Sequence, residues 1–477
     1  MTLTISSLVF ALIICVLFYI VGKRSRKYLL ALAGVVYIYN LNKLAGGYVL
    51  VTSFLCWAAG AAVYFFKKKK MTRLASCLCY ISVIFFAAGL LVLKYLPVYY
   101  PEYLESETIF KYLIMPIGFS FYIFQAISYV IDVKRGTTTG VKNPVNILLY
   151  LSFFPKFVSG PIERYGDFKL QIVAIRRTRF KEPDRWKSAL YYALFGCFMK
   201  LVIADRLATY VDQLFENYQN YGSILLLMGS LLYTIQIYCD FAGYSYVAIG
   251  IAKLYGANLS ENFKQPYMSS NITEFWRRWH MSLSRWFTDY IYIPLGGNRK
   301  GLPRKIVNTL IVFIICGMWH GAGKNFIVWG LLHGLFSAFD VYAREKKWTA
   351  LRSGVVGHVL AFAEASFAWI FFRASSFSSA MGYIIAMLTN GLQLKELSAQ
   401  MELIELVNPE PRIIVILIVV MIALDIIAYK KGQHIPELIA QLPQGRRYLC
   451  FYVLIMIVLI FGIYGPDLGV KPIYMEF

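Results

Sequence analysis

Apolar runs that approach the ~20 residues needed to cross a hydrocarbon core alternate along this chain with short blocks of charge. They cover residues 8–21, two shorter runs between Lys27 and Lys67, then 74–96, 109–131, 186–203, 224–239, 306–319, 326–342, 355–372, 413–429 and 448–464. The pattern predicts an all-α polytopic membrane protein of about eleven transmembrane helices with re-entrant and interfacial helices. The run at 145–159 is different. Pro155, Gly160 and Pro161 interrupt it, and broken backbone at membrane depth is tolerated only where protein or a water-filled cavity covers it, so it is expected to be re-entrant. Residues 258–305 hold too many Arg, Lys, Trp and Pro to span and are expected as helices on the inner interface.

Charge sets the orientation. Lys23–Lys27 and Lys67–Arg73 are the densest basic blocks and belong on the cytoplasmic side, as do Lys134, Arg135, Arg176, Arg177, Lys346, Lys347, Lys430 and Lys431. Glu102, Glu105 and Glu107 then mark an outer loop, and both termini are expected outside the cell membrane. The first apolar run precedes its basic block, the reverse of a cleavable leader, and reads as a retained anchor. The whole chain, 1–477, reads as one membrane domain: N-terminal helices at 1–110, a chemistry-bearing core at 111–375 and C-terminal helices with a tail at 376–477.

Composition agrees: 58% of the residues are hydrophobic and 16% charged, which excludes a soluble enzyme. The net charge of +22 is spread over inter-helix blocks, not along one soluble face, and implies no nucleic-acid partner. Eight cysteines sit mostly inside apolar runs without metal-ligand spacing, so neither a disulfide framework nor a metal is expected.

Two histidines carry the chemistry. As a helix, residues 306–319 rise only about 21 Å, less than the roughly 30 Å core, so His320 falls well inside the membrane, where ionisable groups are functional candidates. A neutral histidine bonded to a carbonyl could be helix glue. Gly317, Gly321 and Gly323 favour the other reading, because small residues let a ligand or a backbone approach the ring, and low dielectric keeps it neutral and able to act as a general base. His280 lies in EFWRRWHMSLS (274–284), where a helix would put Trp276, His280 and Ser284 on one face; an amphipathic interfacial helix explains the same text. Trp276, Trp279, Trp319, Asp240, Asn325 and His333 are candidates to line a substrate channel. His358, His434, Asp340, Glu364 and Asp425 carry less weight. Gly296–Gly301 offers backbone NH groups with Arg299 and Lys300, which would suit the phosphates of a nucleotide-bearing donor, although a plain positive-inside loop explains it as well.

Residues 274–284, YIYIPLGG (290–297) and MWHGAGKNFIVWGLLHG (318–334), with FFPKFVSGPIERY (153–165) and YCDFAGYSY (238–246), resemble the membrane-bound O-acyltransferase superfamily, and within it the bacterial alginate O-acetyltransferase branch. The likeness runs from about residue 115 to about 375. It implies that His320 is catalytic and that His280 is the second histidine of the branch. It implies a cytoplasmic thioester donor, acetyl-CoA first, with no bound cofactor. The acceptor it implies is a hydroxyl of an exported polysaccharide, reached through an extracellular or periplasmic acetyltransferase partner. The tail KPIYMEF (471–477) resembles the branch's aromatic C-terminal motif, which makes Tyr474 a candidate acyl relay or else an interfacial anchor. Two alternatives remain: D-alanyl transfer to teichoic acid from a carrier-protein thioester, and a transporter of a lipid-linked sugar or anion, which would be expected to show internal repeats.

Overall fold

A computed structural model describes residues 4–102, 113–348, 352–393 and 411–464, and among them no strand occurs. Nine helices there are long and apolar enough to cross a membrane, and two more, Ile5–Ile20 and Phe377–Thr389, are apolar but shorter. The protein is an integral membrane protein. The chain divides into two compact units, one formed by Met1–Ala193 with Val247–Ser260, the other by Leu194–Tyr246 with Glu261–Phe477.

The first unit contains α1 (Ile5–Ile20), α2 (Arg26–Leu41), α3 (Lys43–Lys68), α4 (Thr72–Tyr99), α5 (Phe119–Arg135), α6 (Pro144–Ser152) and α7 (Tyr165–Arg177). α1 and α4 leave Leu12, Ile20, Ile84 and Phe85 exposed, an arrangement that only lipid tolerates. α5 is buried along most of its length, with Ser120, Gln125, Ser128 and Asp132 among its buried residues. The interrupted run at 145–159 does not span: α6 has nine residues, rising about 14 Å, and ends in a single 3₁₀ turn, Phe154–Lys156. The motif around it is internal scaffolding. Lys156 Nζ donates to Gln125 Oε1 at 2.5 Å, and the Glu163 carboxylate accepts from Ser260 N at 2.6 Å. Burial pushes the Lys156 ammonium down to about 7.

α8 (Pro183–Cys197) leads through a π-helical segment, Phe198–Ala204, into α9 (Asp205–Glu216). α10 (Ser223–Leu254) runs fifteen residues beyond the expected span at 224–239. The second unit continues with α11 (Ile272–Arg278), α12 (Met281–Phe287), α13 (Gly301–His320), α14 (Lys324–Glu345), α15 (Gly354–Arg373), α16 (Phe377–Thr389), α17 (Pro411–Lys431), α18 (Ile435–Gln441) and α19 (Gln444–Phe461). The sequence pattern had not indicated α16.

α13 and α14 pack backbone to backbone. A Cβ on Gly317 would lie 2.3 Å from the carbonyl oxygen of Phe326, and one on Gly330 would lie 2.3 Å from that of Phe313. Small residues at a crossing permit this approach in a membrane, where packing rather than hydrophobicity drives helix association. The result fixes His320, at the C-terminal end of α13, against the N-terminal half of α14.

Candidate active site

His320 is 3% exposed. Its ring lies 4.7 Å from Trp319, 4.8 Å from Trp329 and 5.2 Å from Phe372, centroid to centroid and all near edge-on. Trp369 completes the box, 5.6 Å from Trp329 and 5.3 Å from Phe372. The glycines beside His320 admit protein here: the Phe326 ring occupies the space a Cβ on Gly321 would need.

The single helix expected through 274–284 is not formed. α11 ends at Arg278, α12 begins at Met281, and between them His280 is left-handed (φ 41°, ψ 53°), a conformation uncommon for a residue with a Cβ. The turn reverses the expected alignment of side chains. Trp276 and Ser284 face a cavity, while the His280 ring packs edge-on against Phe241 at 4.7 Å and lies 6.3 Å from Trp319. Both histidines therefore converge on Trp319.

The segment does not lie free on the surface of the protein. Trp279 is stacked on Phe275 at 5.4 Å and lies 4.9 Å from Trp369, and His280 is fully buried. Its aromatic side chains enter the core, while Arg277 and Arg285 remain exposed. Burial pushes the His280 imidazole down to about 3, so the ring is neutral.

Three strands of contact hold the turn. Asn271 caps α11 by accepting from Glu274 N at 2.8 Å, and the Asp340 carboxylate of α14 accepts from Thr273 N at 2.8 Å. Arg352 ties Asp340 (3.1 Å) to Glu364 (2.7 Å). The extended segment before α11 supplies the rest: Met281 N donates to Asn262 O at 2.9 Å, and Ser282 Oγ donates to Asn262 Oδ1 at 2.6 Å.

A cavity of about 330 Å³ opens among α11, α12, α13 and α14. Its lining includes Trp276, Ser284, Cys316 and Ser337, with the cations Arg277, Lys305 and Arg344. Cys316 stands one helical turn before His320. Arg299 and Lys300 are exposed and do not line this cavity. Their loop is a tight turn in which Gly296, Gly297 and Gly301 all have positive φ.

The remaining candidates separate into two groups. His333 belongs with the box: its Nδ1 accepts from Trp276 Nε1 at 3.2 Å, and its ring lies 5.0 Å from Trp329. Since indole N–H is only a donor, this bond places the His333 proton on Nε2. Asp240 and Asn325 are engaged elsewhere. Asp240 pairs with Lys200 at 2.5 Å, and Lys200 also pairs with Asp205 at 2.6 Å; this buried triad sits at the π-helical segment. Asn325 donates to the carbonyls of Phe371 and Ala374, closing the end of α15. His358 bonds the carbonyl of Gly354 within its own helix. Tyr474 lies outside the described residues. Asn262, Phe241, Trp329 and Trp369 were missed as site residues. YCDFAGYSY carried the signal for Phe241, because in α10 it forms the wall behind His280.

Residues 138–377 match the membrane-bound O-acyltransferase family. The chain is similar to a probable alginate O-acetylase of Pseudomonas putida, 39% identical over 61% of this chain and 59% of the relative. It is also similar to a peptidoglycan O-acetyltransferase of Helicobacter pylori, 34% identical over 61% and 60% of the two chains. A teichoic acid D-alanyltransferase of Bacillus subtilis is 28% identical over 50% and 62%. The similarity thus spans about three-fifths of the length of these relatives. With its buried histidine at the end of α13 inside the matched segment, this chain belongs to the membrane-bound O-acyltransferase family.

Proposed function

We propose that the protein is a membrane O-acyltransferase that moves an acetyl group from a cytoplasmic thioester donor to hydroxyls of an exported polysaccharide or cell-wall glycan. The observation that carries the reading is the pairing of a buried His320, at the end of a helix apolar enough to span, with a cavity one helical turn away whose lining holds three cations. Those cations suit the phosphates of an acyl-CoA, with Arg299 and Lys300 adding attraction from the neighbouring loop. The apolar remainder of the cavity suits a pantetheine arm.

In the reaction, a ring nitrogen of His320 takes the proton of the attacking hydroxyl as the oxygen bonds to the thioester carbonyl carbon. The tetrahedral intermediate then expels the thiolate, which leaves as a thiol with the proton returned by the imidazolium. Trp319, Trp329 and Phe372 keep bulk water from hydrolysing the thioester. His280 orients the donor or closes the inner funnel. The acceptor is presented from the outer side, with an extracellular or periplasmic partner protein, and Tyr474 is a candidate relay whose replacement by Phe tests that role.

D-alanyl transfer is the second reading. It is favoured less because the acetylating relatives are the more similar ones. The test compares the full chain with His320→Ala at equal membrane levels and measures O-acetyl esters on the cell's polysaccharides and wall. Loss of ester in the variant supports the reading, and the fraction affected names the acceptor. Unchanged ester content overturns it.

A further inference from the structure

His434 lies beyond the segment that matches the family, and the proposed reaction makes no use of it. It is buried, with both ring nitrogens engaged: Nδ1 with the Tyr246 hydroxyl at 2.9 Å and Nε2 with Glu261 Oε1 at 3.2 Å. Glu261 precedes Asn262, the residue that holds the two positions after His280, through Met281 N (2.9 Å) and the Ser282 hydroxyl (2.6 Å). Asn262 Nδ2 in turn donates to Ser245 Oγ at 3.4 Å, and Ser245 adjoins Tyr246 on α10. The contacts close a ring, His434 to Tyr246, Ser245, Asn262, Glu261 and back to His434.

We infer that His434 is a positioning residue for His280: by pinning Glu261 it holds the Asn262 clamp, and the clamp holds His280 in its left-handed turn against Phe241 and Trp319. A histidine in that backbone conformation carries strain and persists only where its surroundings over-determine it. The clamp supplies this from one side, with Lys264 reinforcing it through two bonds to Arg278, one between backbones, Lys264 N to Arg278 O at 2.9 Å, and one from the guanidinium, Arg278 Nη1 to Lys264 O at 3.2 Å. The bond from His434 also keeps the Glu261 carboxyl below the usual carboxylate range, so Glu261 is charged at neutral pH. α18 begins at Ile435, so the C-terminal helices enter the construction of the site. The inference rests on the reading of His280 as part of an acyl-transfer site.

The test has two readouts on the detergent-solubilised full chain. Diethylpyrocarbonate labels accessible imidazoles, and peptide mass spectrometry reads His280 separately from His333, which is equally buried but lies on α14. His434→Ala and, as a milder change, Glu261→Gln are expected to speed His280 labelling about fivefold or more with His333 unchanged, as local opening would. The rate of acetyl incorporation from labelled acetyl-CoA should fall about tenfold in His434→Ala and fall no further in His434→Ala/Asn262→Ala, since residues acting in one series are not additive. His434→Gln, which can donate to Glu261 and accept from Tyr246, should restore both readouts. Unchanged protection of His280 overturns the inference, as does equal loss of protection at His333, which would mean general loosening. A wild-type chain that transfers no acetyl sinks the functional reading, and the footprint still decides the positioning.

Discussion

The crossing of α13 and α14 is the contact on which His320 depends, and Gly317→Ala probes it. The new Cβ would lie 2.3 Å from Phe326 O and 3.1 Å from its carbonyl carbon, whereas ordinary contact begins near 3.4 Å. The helices must therefore part by about 1 Å at that point, because neither atom belongs to a flexible side chain and packed interiors do not absorb such a shift elsewhere. Overpacking of this kind costs about 1–3 kcal/mol. His320 stands less than one turn further along α13, so most of the displacement reaches its ring, and a 1 Å misplacement of a catalytic group costs about 10²-fold in rate. The expected outcome is a lower melting temperature in detergent together with a loss of acetyl incorporation of about that size. Gly89→Ala in α4 is the matched control: its Cβ would meet nothing within 4 Å, and Ala should stabilise the helix by up to ~1 kcal/mol. If Gly317→Ala kept both its melting temperature and its transfer rate within a factor of two of wild type, the close crossing would not be what places His320.

Charge reversal in the cavity, Arg277→Glu with Lys305→Glu, should raise the KM for acetyl-CoA and leave kcat close to wild type, measured by thiol release at several salt concentrations; an unchanged KM would remove the phosphate role from these cations. Lys200→Met strands two buried carboxylates and should cost about 3–5 kcal/mol, read as thermal stability, while Lys200→Met/Asp205→Leu/Asp240→Leu should recover much of it. Recovery failing would show that the triad's charges, not its packing, hold the π-helical segment. Stability should also depend on pH through His280. Its folded value of about 3 lies below the ordinary 6.5 of an unfolded chain, so the unfolded state binds the extra proton. Stability from this group is full above about pH 6.5 and declines as pH falls toward 3. His280→Phe should flatten that slope in melting curves taken between pH 4 and 7, and an unaltered slope would mean the ring is not buried neutral.

Much of the second unit was legible because its chemistry is local in sequence. Gly317, Trp319, His333 and the apolar run ending at His320 lie within one helical hairpin, so spacing alone brings them together. The His280 turn was not legible, and the reason is physical. Trp276, His280 and Ser284 have perfect helical spacing, and local propensity offers no break: Arg278, Trp279, His280 and Met281 include neither Gly nor Pro. What breaks the helix is remote. Met281 N donates to Asn262 instead of continuing the helical ladder, and the Trp279 ring packs at a tilt against Trp369 of α15. The partner of Asp240 was hidden for the same reason. An isolated carboxylate in an apolar run does not reveal that Lys200, earlier in the chain, lies beside it.

The division between what was legible and what was not follows the division of labour in the site. The group proposed to react can be read from sequence because it sits on a regular element whose geometry is the same in any context. The groups that aim it cannot, because aiming requires contacts from several directions. Segments far apart in sequence supply those contacts: Asn262 before α11, Phe241 in α10, Asp340 in α14 and His434 before α18. A left-handed histidine makes the point sharply. The strain at His280 is stable only because these segments meet around it, so a change at any of them can be felt at the site while the text around His320 and His280 stays intact. Variation in transfer among chains that keep both histidines should therefore track residues such as Asn262 and His434 rather than the motifs themselves.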